Sequence, residues 1–323
     1  MKNHYWTSPI AIYLFLGGLG GGIAFLAWVF SSFVMPDADM GNVFAGPLFA
    51  SILALALGCF FLVFELGQPP VFWRVFATAT AIIKWGATLL SFCMIFEFVW
   101  LVSYLPWEWI SGLAAALVPL RGACLAVAGV AGFGIMVYTG VMLSTLKAHA
   151  FWATPALPVL FTTSAISTAC AACALFMNMW PGAPTAASLA ASVEAYEILH
   201  LVDIILVIAE LCILLIMILS FLGAGTRTAK RVALRWVKGS YAPFFWIGMV
   251  GLGLFVPLCL YLGGGAGAHY AAPVLVLCGG LLLRYLCVWS DDRQPLPGEN
   301  EFYQRLPKKD AQFLTAWNDG DMY

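Results

Sequence analysis

Residues 13–26 read "YLFLGGLGGGIAFL", five glycines inside an apolar run. The run is long enough to cross a bilayer, which takes about 20 residues. Glycine costs about 1 kcal/mol against alanine within a helix, so five of them need a use. Gly17 and Gly21, and Gly18 and Gly22, are each four apart, a spacing that lets another backbone or a flat ligand approach closely. Two further runs repeat the device, "AVAGVAGFGIMVYTG" and "WIGMVGLGLFVP".

Apolar runs of this length recur along all but the end of the chain. The sequence is 63% hydrophobic and 10% charged, with a mean hydropathy of +0.93. Ordinary soluble domains are about 25% charged. The fold class is an all-α membrane protein with eight spans, near 9–34, 47–66, 81–104, 122–146, 157–179, 195–222, 241–262 and 271–289. Residues 1–290 form the membrane domain, and 291–323 a polar tail with Pro295, Pro297 and Pro307. The first run is too long for a signal-peptide core and is read as a retained helix. No basic tract points to nucleic acid.

An even number of spans puts both termini on one side. That side carries Lys2, Arg74, Lys84, Lys147, the cluster Arg227, Lys230, Arg231, Arg235 and Lys238, and Arg293, Arg305, Lys308 and Lys309. The other side carries Arg121, with Asp37, Asp39, Glu108 and Glu194. The positive-inside rule puts both termini in the cytoplasm, with the chain in the inner membrane.

Ionisable groups within spans are costly, and each is a functional candidate. In "EAYEILHLVDIILVIAEL", His200, Asp203 and Glu210 fall within about 80° on one helix face. They read as a proton path, or as interhelical hydrogen bonding. Glu97 lies deep in the third span and joins the same group of candidates. Glu65 closes the second span, and Tyr138 is the polar group beside the glycine-rich face of the fourth. Of four histidines only His200 is within a span, so a bis-histidine haem site is not available. The nine cysteines read as buried small residues, the CxxC of Cys170 and Cys173 included, and no metal site is expected.

The stretches "SPIAIYLFLGGLGGG", "VFELGQPPVFWRV", "IIKWGATLL", "VYTGVMLSTLKAHAFWATPALPVLF", "LHLVDIILVIAEL" and "YAPFFWIGMVGLGLFVPL" occur in the order found in the NrfD/PsrC family, and the sequence resembles that family. The resemblance implies two four-helix bundles, 1–150 and 151–290. It implies a menaquinone or ubiquinone site, with electrons exchanged with a ferredoxin-like subunit of several 4Fe-4S clusters. That subunit serves a catalytic partner, often a molybdopterin enzyme of anaerobic respiration. The protein itself would carry neither haem nor iron–sulfur cluster. Tyr138 would donate to a quinone carbonyl, Glu65 would exchange protons there, and Gly17, Gly18, Gly21 and Gly22 would form the wall. The sequence departs from the family at Gln68, where many members have arginine. Well-known relatives dock their soluble partners on the periplasmic side, whereas the charges put the Tyr138 end in the cytoplasm. Two other functions fit the residues, a proton or ion translocator and a plain structural anchor.

Overall fold

The computed structural model describes residues 8–38, 40–65, 82–179, 186–264 and 268–293, excepting the side chains of Asn42, Glu65 and Ala268. Gln68, Arg74 and the tail beyond Arg293 therefore lie outside the described residues, as does the carboxyl of Glu65. Among the described residues there is no strand, and eight helices are long and apolar enough to cross a membrane. This is a multi-pass α-helical membrane protein.

Helix α1 (Ser8–Val29) continues as a π-helical turn over Phe30–Val34. It is followed by α2 (Gly41–Glu65), α3 (Ile82–Val102), the short α4 (Ser111–Leu117), α5 (Arg121–Ser144) and α6 (Ala156–Phe176). Next come α7 (Ala186–Ala224), α8 (Arg227–Val237), a π-helical segment (Phe244–Phe255) running into α9 (Val256–Gly263), and α10 (Ala268–Val288). Helix α7 starts nine residues before the expected 195. Its alanine-rich first turns are good helix formers, and at 1.5 Å per residue the helix is about 58 Å long. That exceeds the hydrocarbon thickness of about 30 Å.

Helix α1 is the centre of the assembly, packing against α2, α5, α6 and α10. Its glycines make this possible. A Cβ on Gly21 would stand 2.6 Å from the carbonyl oxygen of Gly132 in α5, and one on Gly132 would be as badly placed against Gly21. A Cβ on Gly22 would stand 2.7 Å from Ala169 Cβ and 2.8 Å from the Ala165 carbonyl in α6. Without an apolar-to-water gain to drive helices together in lipid, such close approach supplies the van der Waals contact that does.

The seventh span is a regular α-helix by sequence, but Phe244–Phe255 is π-helical. Pro257 lacks the N–H that would bond the Gly253 carbonyl in an α-helix. Gly248, Gly251 and Gly253 weaken the α preference, and Gly253 packs directly on Gly279 of α10.

On the terminus side α8 lies with Ala229, Val232, Ala233 and Trp236 buried and Arg227, Lys230 and Arg231 exposed. Thr226 caps it, its hydroxyl accepting from the Ala229 amide at 3.3 Å. The start of the tail is fastened here. Arg235 pairs with Asp292 at 2.8 Å, and Trp236 Nε1 donates to Ser290 Oγ at 2.8 Å. His149 Nδ1 donates to the Asp291 carbonyl at 2.7 Å. Burial lowers the His149 imidazole below its ordinary value, with the Asp291 carbonyl working against that shift. On the opposite side Arg121, the one cation the sequence put there, donates to Ser103 and lies 3.7 Å over the Tyr104 ring.

Candidate functional site

Two polar sites stand at opposite ends of the membrane domain. The first is at the terminus side, where α1 and α3 begin and α2 and α5 end. Tyr138 is 6% exposed, and its hydroxyl donates to Met142 Sδ at 3.2 Å. The Tyr13 hydroxyl is in hydrogen-bonding contact with it, with Cys59 of α2 nearby. The Tyr138 ring packs directly on α3 because position 86 is glycine; a Cβ there would come within 2.3 Å of the ring. Gly17 is the α1 glycine at this site, and a Cβ on it would meet nothing closer than 3.7 Å.

The expected glycine wall is therefore corrected. The faces of Gly21 and Gly22 are taken by the backbones of α5 and α6, and Gly18 faces Ala165 and Arg284. A flat ring has no room at those three. Gly17 is less tightly covered, and a Cβ there would make ordinary contact with Ile135, Thr139 and Tyr13. Residues 66–81, which join the neighbouring ends of α2 and α3, are outside the described residues.

The second site is on the other side of the membrane. There α6 ends, α7 and α10 begin, and α9 closes. Exposed His269 meets the Tyr196 hydroxyl through Nδ1 at 2.6 Å, and Tyr196 stacks on His200. The His200 ring stands edge-on to Tyr261 at 4.5 Å. Tyr261 donates to Asp203 Oδ2 at 2.7 Å, and Ser167 donates to Asp203 Oδ1. A small cavity lies among Cys170, His200, Asp203 and Tyr261.

Deeper on the same faces, Ser164 sits one turn from Ser167 and is shared by Glu210 and Arg284. Arg284 is fully buried. Its Nη1 donates to Ser164 Oγ at 2.6 Å and its Nη2 to the Phe161 carbonyl at 3.0 Å, while Nε has no partner among the described residues. The opposite charges of Arg284 and Glu210 attract, as buried charges require.

His200, Asp203 and Glu210 thus come together, as their spacing predicted. Glu97 does not join them. It is fully buried among α1, α2 and α3, with Oε1 accepting from Ser51 at 2.8 Å and Cys93 Sγ 3.7 Å away. Its Oε2 has no partner among the described residues. Sequence reasoning missed Tyr13, Gly86, Tyr261, Ser164 and Ser167, and left Arg284 without a role. Only Arg284, a cation within a span, carried a signal that could have found it.

The fold and these buried polar sites define a polytopic helical membrane protein with titratable groups held inside its bundle. The family profile described as "Polysulphide reductase, NrfD" matches residues 1–290, and the protein belongs to that family. It is similar to Protein NrfD of Escherichia coli, 29% identical over 309 residues that cover 88% of this sequence and 94% of that protein. It is also similar to the C subunit of polysulfide reductase from Wolinella succinogenes, 26% identical over 306 residues, covering 88% and 93%.

Proposed function

We propose that the protein is the membrane subunit of a respiratory oxidoreductase, and that it exchanges electrons between a membrane quinone and an iron–sulfur partner at the Tyr13–Tyr138 end. Family membership and the similarity to a polysulfide reductase subunit support the membrane-subunit role. The observation that carries the quinone reading is the tyrosine pair. Tyr138 spends its donor on a thioether, a weak acceptor, so a ring carbonyl can take that donor at little cost. Gly86 lets the Tyr138 ring pack on α3, and Gly17 is the α1 glycine beside the pair whose added Cβ would meet no atom closer than 3.7 Å.

A bound quinone would supply the two-electron, two-proton chemistry. Tyr138 would hold one carbonyl, Tyr13 would orient the Tyr138 hydroxyl, and Glu65 would accept or deliver protons. The menaquinone or ubiquinone headgroup would sit beside Gly17 and Tyr13 rather than along Gly21 and Gly22. The catalytic subunit, the two-bundle division and the inner-membrane location with cytoplasmic termini belong to the same reading.

The experiment is photolabelling of the full-length protein in lipid with an azido-quinone. Adducts on the segments around Tyr13 and Tyr138, competed by excess quinone, are expected. Labelling confined to lipid-facing residues, with no competition, would remove the quinone from this end.

A second reading has its own support. The joining of His200, Asp203 and Glu210 on one inward face favours a proton-conducting role for the second half.

A further inference from the structure

We propose that the second site is a proton half-channel, open only to the face opposite the tyrosine pair, in which Asp203 is loaded through His200. This deepens the proton-conducting reading and rests on no part of the quinone reading.

The groups of this series pass from exposed at that face to buried within the bundle. His269 is exposed and Tyr196 and His200 are half-buried, whereas Tyr261 is 7%, Asp203 1%, Glu210 3% and Arg284 0% exposed. From His200 to Glu210 is ten residues of one helix, about 15 Å at 1.5 Å per residue. That is half of a hydrocarbon core of about 30 Å, so the series ends near mid-membrane.

The cavity fills the gap in this series. Its volume is about 10 Å³, the room that one water molecule needs. It is far too small for a quinone ring. His200, Asp203 and Tyr261 on its walls give a water the two to four polar partners that hold it. A proton taken up by the His200 ring passes through that water to the Asp203 carboxylate, and His200 returns to neutral. No bond other than those to the proton changes.

Asp203 is faced by Ser167 and Cys170 from α6, by His200 and Glu210 from its own helix, and by Tyr261 from α9. From α10, Arg284 acts through Glu210 and His269 through Tyr196. Arg284 closes the inner end. Its fixed positive charge, held by Ser164 and the Phe161 carbonyl, raises the energy of a proton beyond Glu210.

The test uses the full-length protein in sealed vesicles of known orientation, with one face held at constant pH while the other is titrated. The infrared carboxyl band that disappears in Asp203→Asn reports its protonation. It is expected to follow the pH of the His269 face and to ignore the terminus face. His200→Leu is expected to slow the response at least tenfold. A band that follows the terminus face, that follows neither face, or that responds equally fast in His200→Leu overturns the proposal. Loss of quinol turnover in a tyrosine variant would leave this result untouched, so the two readings fail separately.

Discussion

Gly17→Ala and Gly21→Ala change the same helix by the same atom and should part sharply in stability. A Cβ at Gly21 stands 2.6 Å from the Gly132 carbonyl and 3.2 Å from Ile135 Cβ, while ordinary contact begins at 3.4 Å. The α5 backbone must therefore retreat by about 0.8 Å, and backbone cannot swing aside as a side-chain end can. Overpacking of this kind costs about 1–3 kcal/mol. At Gly17 the nearest atom is 3.7 Å away, so the added methyl fits. Both variants gain up to about 1 kcal/mol of helix preference, which cancels in the comparison. Gly21→Ala should thus be less stable than Gly17→Ala by about 1–3 kcal/mol. Equilibrium unfolding of the full-length protein in mixed detergent micelles measures the difference directly. Equal stabilities would refute the claim that Gly21 exists to seat α5 on α1.

Arg284→Met removes the donors to Ser164 Oγ and to the Phe161 carbonyl, and should cost about 1–3 kcal/mol in the same unfolding assay. Glu97→Gln keeps an acceptor for Ser51 but places an amide donor where Oε2 has no partner among the described residues, and should cost about 1–3 kcal/mol in the same assay. His149 has a folded-state value below its unfolded one, so the unfolded state binds the proton first and stability is lost as pH falls below about 6.5. Thermal melts between pH 5 and 8 should show that slope, and His149→Gln should flatten it. A reporter fused to Tyr323 tests topology, with fluorescent GFP and silent alkaline phosphatase expected for cytoplasmic termini.

What the sequence made legible follows from how the signal is written. Spans announce themselves by length and apolarity alone, so all eight were readable, and His200, Asp203 and Glu210 share a face by helix geometry. What each helix meets is not written in one dimension. The Gly17–Gly22 stretch admitted a ring or a neighbouring helix equally well, and only the placement of Gly132 and Ala169 decides between them. Gly86 looked like an ordinary helix glycine until the Tyr138 ring was found lying on it. Tyr13 and Tyr261 were two tyrosines among many, Ser164 and Ser167 two hydroxyls in an alanine-rich helix, and each gained meaning from partners more than 30 residues distant. The π-helical stretch escaped because apolar composition says nothing about helix pitch.

The most direct measurement is quinol-driven electron transfer in the assembled complex, comparing Tyr13→Phe/Tyr138→Phe with Tyr261→Phe. Losing a hydrogen bond of about 0.5–1.5 kcal/mol to the ring carbonyl weakens quinol use roughly two- to tenfold, so KM should rise by that factor in the first variant. Tyr261→Phe, at the far face, should leave KM unchanged. An unaltered KM in the double variant, with the complex intact, would contradict quinone exchange at the tyrosine pair.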